Sequence, residues 1–249
     1  MAGGFRFDFG GAQVLVTGGS NGIGLAIASA FARAGASVTI TGTRRSASDY
    51  PHDLAGFRYR QLEVRERAAL DALAGGFERL DVLVNNAGST RAYEEWKPEV
   101  FDESVDINLR AVFHLSMACK PALAKSGLEG GACAINVASM AAFLASCGST
   151  NPGYATAKAG IVLLTKNLGS AWAADRIRVN AVAPGLIETN MTAPMKGVEA
   201  MERPVIERTP MARWGRADEI ADPVLFLASS AARFVTGQTL CVDGGLSLG

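Results

Sequence analysis

The chain is almost without histidine, with two in 249 residues, and its four cysteines are scattered. Cys119, Cys133, Cys147 and Cys241 form no CxxC pair and no metal-ligand spacing. They read as core or near-core thiols of a reducing compartment. Net charge is missing too, because 24 lysines and arginines balance 24 aspartates and glutamates. That balance gives no support for nucleic acid or a membrane surface as partner. No apolar run approaches transmembrane length. Residues 1–11 mix an arginine and an aspartate with phenylalanines and have no apolar core, so they do not read as a signal peptide. The expectation is a cytoplasmic protein. His52 and His114 match no motif position and read as structural.

What is present is apolar sequence, 49% of the chain, which excludes disorder. The length suits one large α/β domain over residues 1–249. Strand and helix patterns alternate almost throughout. Strands are expected at 13–17, 37–41, 57–62, 81–84, 132–138, 177–182 and 239–242. Helices are expected at 22–34, 66–73, 98–125, 153–173 and 218–229. Residues 184–215, rich in Pro, Met and Thr, read as irregular. Continuous Val/Ile/Leu strands between helices imply a parallel sheet covered on both faces. Such a Rossmann-type, doubly wound sheet binds ligands at the carboxyl ends of its strands.

The motifs fall on those ends. Thr17-Gly-Gly-Ser-Asn-Gly-Ile-Gly24 joins the first strand to its helix. Its glycines permit positive φ and close backbone approach, and the first helical turn offers free N–H groups to a phosphate. Far downstream stands Tyr154-Ala-Thr-Ala-Lys158. On a helix, residues four apart share one face. A tyrosine hydroxyl is a poor base, with a reference pKa of about 10. A neighbouring ammonium favours the phenolate, so Lys158 is expected to lower the Tyr154 pKa. Alone, such a pair would be an ordinary amphipathic face. Beside a nucleotide loop it points to redox chemistry on a small molecule.

With Asn85-Asn-Ala-Gly88, Asn108, Ser139 and Pro184-Gly185 in the same order and spacing, the chain resembles the short-chain dehydrogenase/reductase family from about Phe7 to Gly245. One departure is the gap from Ser139 to Tyr154, slightly longer than the family's commonest spacing, through residues 149–152. The resemblance implies hydride transfer between a nicotinamide cofactor and a secondary alcohol or its ketone. It implies Tyr154 as acid/base and Lys158 as its tuner and ribose anchor. Ser139 would be the donor to the substrate oxygen and Asn108 the holder of a relay water. The alternative for Asn108 is a mid-helix polar residue bonding nearby backbone.

The resemblance places the cofactor against Gly18, Ser20, Asn21, Gly22, Ile23 and Gly24. It adds Thr43 and Arg44 after the second strand, and Glu63 and Val64 after the third. Asn86, Ala87, Gly88, Tyr154, Lys158, Pro184, Gly185, Ile187 and Thr189 complete the set. Enzymes that use NAD(H) carry an acidic residue at the end of the second strand. Here Gly42 stands there, followed closely by Arg44 and Arg45, and guanidinium suits phosphate, so NADP(H) is favoured. NAD(H) stays open if both arginines are solvated loop charges.

Residues 186–214 correspond to the family's substrate loop, with Trp96, Met140, Phe143 and Leu144 as further walls. Met191, Met195 and Met201 are either packing or an adaptable apolar lining. The substrate reads as a moderately apolar small-molecule alcohol or ketone, of the 3-oxoacyl thioester or the sugar and cyclic alcohol kind. Epimerisation or dehalogenation on the same frame is one rival reading, and a non-catalytic nucleotide sensor another. The family's usual homotetramer is expected. Phe113, Leu115, Met117, Leu163, Leu164 and Trp172 spread round their helices and cannot all face one sheet.

Overall fold

The computed structural model describes residues 7–144 and 151–248. Cys147 and the Ser149–Thr150 part of the longer gap lie outside the described residues.

Seven strands form one parallel sheet: β1 Gln13–Val16, β2 Ser37–Gly42, β3 Arg58–Gln61, β4 Val82–Asn85, β5 Ala132–Val137, β6 Ile177–Pro184 and β7 Thr239–Val242. Their spatial order is β3-β2-β1-β4-β5-β6-β7. The central strands β4, β5 and β6 are buried along their whole length, which explains their mainly apolar sequence, with Asn85, Asn136, Arg178 and Asn180 as buried polar exceptions. The order reverses between β1 and β4, so the loops leaving these neighbours diverge and open a crevice at their carboxyl ends. This is the doubly wound, Rossmann-type sheet that the alternating pattern predicts.

Helices cover both faces. On one side α1 (Gly22–Arg33) and α7 (Asp218–Ala228) share a cluster around Phe31, Ile27, Val224 and Leu227. Phe31 is fully buried and meets Phe9 edge to face at 4.9 Å, which pins the residues before β1 onto α1. On the other side α2 (Arg67–Gly75), α4 (Ala111–Leu123) and α5 (Pro152–Trp172) close over Leu70, Leu115, Leu123, Leu168 and Trp172. Leu115 and Trp172 thus belong to the core, whereas Phe113, Met117 and Leu163 are exposed.

Two elements differ from expectation. The long helical region over 98–125 divides into α3 (Pro98–Val105), a π-helical turn Asp106–Arg110, and α4. Such turns insert an extra residue into a helix and recur at functional sites. The second is α6 (Glu199–Arg208), inside the stretch expected to be irregular. It carries Pro204 and buries only Val205, so no apolar stripe announced it.

Candidate active site

The glycine loop after β1 is held by the loop after β4. Asn86 donates its side-chain amide to the carbonyls of Thr17 (2.9 Å) and Gly18 (3.2 Å). Thr17 Oγ1 accepts the backbone amides of Asn86 and Ala87, each at 3.0 Å. A Cβ on Gly24 would stand 2.3 Å from the Gly18 carbonyl oxygen, so the turn closes only with glycine there. Gly22 has φ +53°, and a Cβ on it would lie 3.4 Å from Thr189 Cγ2. The loop after β6 therefore reaches the mouth of the glycine turn. Asn21 precedes α1 without capping it by its side chain, leaving the first-turn amides for an anion. These residues fit a dinucleotide's phosphates.

The segment leaving β6 is anchored by its neighbours. Gly185 donates its backbone amide to the carbonyl of Val242, the last residue of β7, at 3.0 Å, and Asp243 occupies the place a Cβ on Gly185 would take. Ile187 is buried and pairs with Gly215. Thr192 Oγ1 donates to the Ile187 carbonyl at 2.6 Å and accepts the Thr189 amide at 3.0 Å.

Three polar side chains converge at the carboxyl end of β5. Ser139 follows that strand and caps a short turn, its Oγ accepting the Ala141 amide at 3.2 Å. Tyr154 and Lys158 stand on the first turns of α5, where the Lys158 Nζ lies 5.4 Å from the Tyr154 ring centroid. Lys158 is buried and donates to the Val137 carbonyl at 2.7 Å. Burial lowers its pKa to about 8. The Tyr154 pKa is raised, chiefly because burial penalises the phenolate. The hydrogen bond from Ser139 works the other way, and the charge of Glu95 adds to the rise. The expected lowering of Tyr154 by the ammonium is thus corrected: in this structure Lys158 is turned to a carbonyl, and desolvation dominates the phenol.

Asn108 lies in the π turn and is fully buried. Its Nδ2 donates to the carbonyls of Ser89 (2.8 Å) and Ser104 (2.9 Å), but its Oδ1 has no hydrogen-bond partner among the described residues. A Cβ on Gly88 would come within 2.7 Å of that oxygen and 3.6 Å of Lys158 Nζ. The reading of Asn108 as a polar residue bonding nearby backbone fits its Nδ2, since both of those acceptors are carbonyls and Ser104 stands four residues earlier. The Asn108 amide is anchored, and its carbonyl oxygen is left free among the described residues, beside the lysine.

At the other end of the crevice, β2 ends on Gly42. A Cβ there would sit 2.2 Å from the Tyr50 hydroxyl and 2.9 Å from Ser20 Oγ. Tyr50 thus fills the place where an acidic side chain would stand. The Arg44 guanidinium lies over the Tyr50 ring, 4.9 Å from its centroid, and hydrogen-bonds the Asp49 carbonyl. Thr43 is exposed and its carbonyl accepts Gln61 Nε2 at 3.0 Å. Glu63 is turned to Arg65 (3.0 Å), which holds its carboxyl below the ordinary range, while Val64 lines a small gap with Thr17 and Ala87.

Reading the sequence missed three side chains that shape this site: Thr17, Tyr50 and the buried Glu95. Thr17 opens the glycine motif and could have been found there. Tyr50 and Glu95 belong to no local pattern.

The chain is similar to known proteins over nearly its whole length. The family profile described as enoyl-(acyl carrier protein) reductase matches residues 18–247. A 3alpha-hydroxysteroid dehydrogenase of Mediterraneibacter gnavus is 35% identical over 243 residues, covering 92% of this chain and 94% of the relative. The 3-oxoacyl-(acyl-carrier-protein) reductase of Escherichia coli is 36% identical over 247 residues, covering 96% and 98%. The solved gluconate 5-dehydrogenase of Burkholderia cenocepacia, in complex with NADP and tartrate, superimposes with a TM-score of 0.87 at 33% identity and 98% coverage of both chains. The phosphate cradle, the Ser139–Tyr154–Lys158 cluster and these matches agree. The chain belongs to the short-chain dehydrogenase/reductase family and is an NAD(P)-dependent oxidoreductase that moves hydride between its cofactor and an alcohol or ketone.

Proposed function

We propose that Tyr154 exchanges the proton in this reaction, giving it to the carbonyl oxygen in reduction and taking it in oxidation. The observation that carries this is the convergence of Ser139, Tyr154, Lys158 and Asn108 from three separate elements onto the end of β5. Ser139 donates a hydrogen bond to the substrate oxygen and steadies charge there. Lys158 supplies positive charge beside the phenol and holds the nicotinamide ribose. Asn108 Oδ1 anchors a water that passes protons to Lys158, which its unpaired state supports. The nicotinamide, when bound, supplies or accepts the hydride. Gly18, Ser20, Asn21, Gly22, Ile23 and Gly24, with Asn86, Ala87 and Gly88, frame its pyrophosphate and adenosine. Pro184, Gly185, Ile187 and Thr189 frame its nicotinamide end, and Glu63 and Val64 its adenine side.

NADP(H) is the preferred cofactor in this reading. No carboxylate can replace Gly42 without displacing Tyr50, and Arg44 is held nearby by its stack on the Tyr50 ring. The B. cenocepacia structure holds NADP. The substrate is a small alcohol or ketone of the sugar-acid, cyclic or 3-oxoacyl kind, received by residues 186–214. The segment 126–131, which has no basic residue, leads into the amino end of β5 and bonds Asp81 before β4, opposite the site, so its charge does not discriminate a free substrate from a carrier-bound thioester.

The whole chain acts as one catalytic domain and assembles as a cytoplasmic homotetramer. Exposed Phe113, Met117 and Leu163 on α4 and α5 support one interface. Exposed Phe234, Leu240 and Leu248 around β7 support a second. Among the described residues no helix is long and apolar enough to cross a membrane. A panel of sugar acids, cyclic alcohols, hydroxysteroids and 3-oxoacyl thioesters, followed by nicotinamide absorbance, tests the reading. Turnover with one class identifies the substrate, and none with any class under both cofactors contradicts it.

A further inference from the structure

Glu95 is a buried carboxylate, 1% exposed, in the loop before α3. Among the described residues no lysine or arginine side chain forms an ion pair with it. Burying such an anion is costly unless hydrogen bonds replace its water. Four do. Oε1 accepts from Thr90 Oγ1 (2.9 Å), the Arg91 amide (3.3 Å) and Ser104 Oγ (3.2 Å). Oε2 accepts the backbone amide of Tyr154 at 2.8 Å.

That last bond has a specific consequence. Tyr154 is the third residue of α5, and the residue before the helix, Asn151, makes no side-chain cap. The helix that carries the tyrosine is therefore capped from 59 residues away. The same carboxylate grips Ser104, whose carbonyl holds the Asn108 amide at 2.9 Å. One side chain thus ties the first turn of α5 to the π turn that presents Asn108. A cavity of about 30 Å³, large enough for water, lies against it between Thr90, Ser104 and Ile107.

We propose that Glu95 is a positioning residue for the hydride-transfer reaction: it sets the height of Tyr154 against Ser139 and Asn108 by capping α5 from outside. Its role is more than packing, because an apolar side chain would leave the Tyr154 amide and two hydroxyls unpaired. It also puts a negative charge beside the phenol, and that charge contributes to the raised Tyr154 pKa. The other charged groups around the pair are Lys158 on α5, and Arg91 and Glu103 lining the cavity. Arg91 is bonded to Glu94 and Glu103, and Glu103 also to Arg65, so these charges neutralise one another at the surface.

The proposal rests on Tyr154 as the acid/base, so Tyr154→Phe is measured alongside. Glu95→Gln keeps the shape and one acceptor but removes the charge. It is expected to fold, to bind the nicotinamide cofactor as the wild type does, and to lose kcat on the order of tenfold. The pH midpoint of its alcohol oxidation moves down, because removing a nearby anion eases phenolate formation. Glu95→Ala deletes every acceptor and loses more kcat, with a lower Tm. A purely structural glutamate would lower Tm in both variants while kcat per folded site and the pH midpoint stayed at wild-type values. That result, with Tyr154→Phe inactive, overturns the role of Glu95 and leaves Tyr154 standing. An active Tyr154→Phe overturns both.

Discussion

The unpaired Oδ1 of Asn108 and the Nζ of Lys158 border one small space beside Gly88, where a side chain would begin 2.7 Å from the first and 3.6 Å from the second. Both atoms are buried, one an acceptor without a donor and the other a donor with three hydrogens to place. A water placed there would accept from the lysine and donate to the asparagine oxygen. The absence of a Cβ at residue 88 is what keeps it open.

Gly88→Ala fills the space. Its methyl cannot coexist with Asn108 Oδ1 at 2.7 Å, so Asn108 or the loop after β4 must shift. Overpacking of this kind costs about 1–3 kcal/mol of stability. The expected functional loss is on the order of tenfold in kcat, with cofactor affinity less affected. Steady-state kinetics and cofactor titration check it, and an unchanged kcat removes Asn108 from the relay.

The pH profile should carry the lysine's signature. Burial lowers the Lys158 pKa to about 8, whereas Tyr154 stays protonated above its ordinary range. An ammonium loses its proton as pH rises through its pKa. The kcat/KM of ketone reduction, which reports the free enzyme, should therefore fall above about pH 8 while the phenol remains an acid. Lys158→Arg cannot lose its charge, so its residual activity should show no such limb. The same fall in both proteins would assign that limb to another group.

Arg44→Ala tests the adenosine end. The guanidinium already lies over Tyr50, so little reordering is needed to meet a 2′-phosphate. Losing one charge-assisted contact should weaken NADPH by about 1.5–3 kcal/mol and leave NADH nearly unchanged. Fluorescence titration of both cofactors decides it. Equal losses would return Arg44 to an ordinary loop charge.

Assembly has its own test. Light scattering after size exclusion at micromolar protein should give four times the chain mass. Leu163→Glu, on an exposed helix face, should split the tetramer with little loss of monomer stability. A monomeric wild type would contradict the proposed interfaces.

Much of this was legible in the sequence because the motifs sit at strand ends, where a parallel sheet gathers them. Thr17–Gly24, Ser139 and the Tyr154–Lys158 pair fall where the pattern placed them. Asn108 was legible as a position but not as a geometry, since a π turn leaves no mark in apolar periodicity. Helix α6 was hidden for the opposite reason: it buries one residue, Val205, and periodicity reports only burial. Glu95 and Tyr50 were invisible because their partners are distant or conformational. The Tyr154 amide is 59 residues from Glu95, and Tyr50 reaches Gly42 only through the short turn at Ala47–Asp49. The direction of the Tyr154 shift also lay beyond the sequence. Spacing placed Lys158 one turn away, but burial and the Val137 carbonyl set the balance.

The most direct test of the account is Tyr154→Phe, measured for turnover and for cofactor binding on the same preparation. The ring packs as before but carries no exchangeable proton. The account predicts loss of turnover with cofactor affinity nearly intact. Retention of more than about a tenth of wild-type kcat would contradict it, because removing a general acid/base costs on the order of a hundredfold or more.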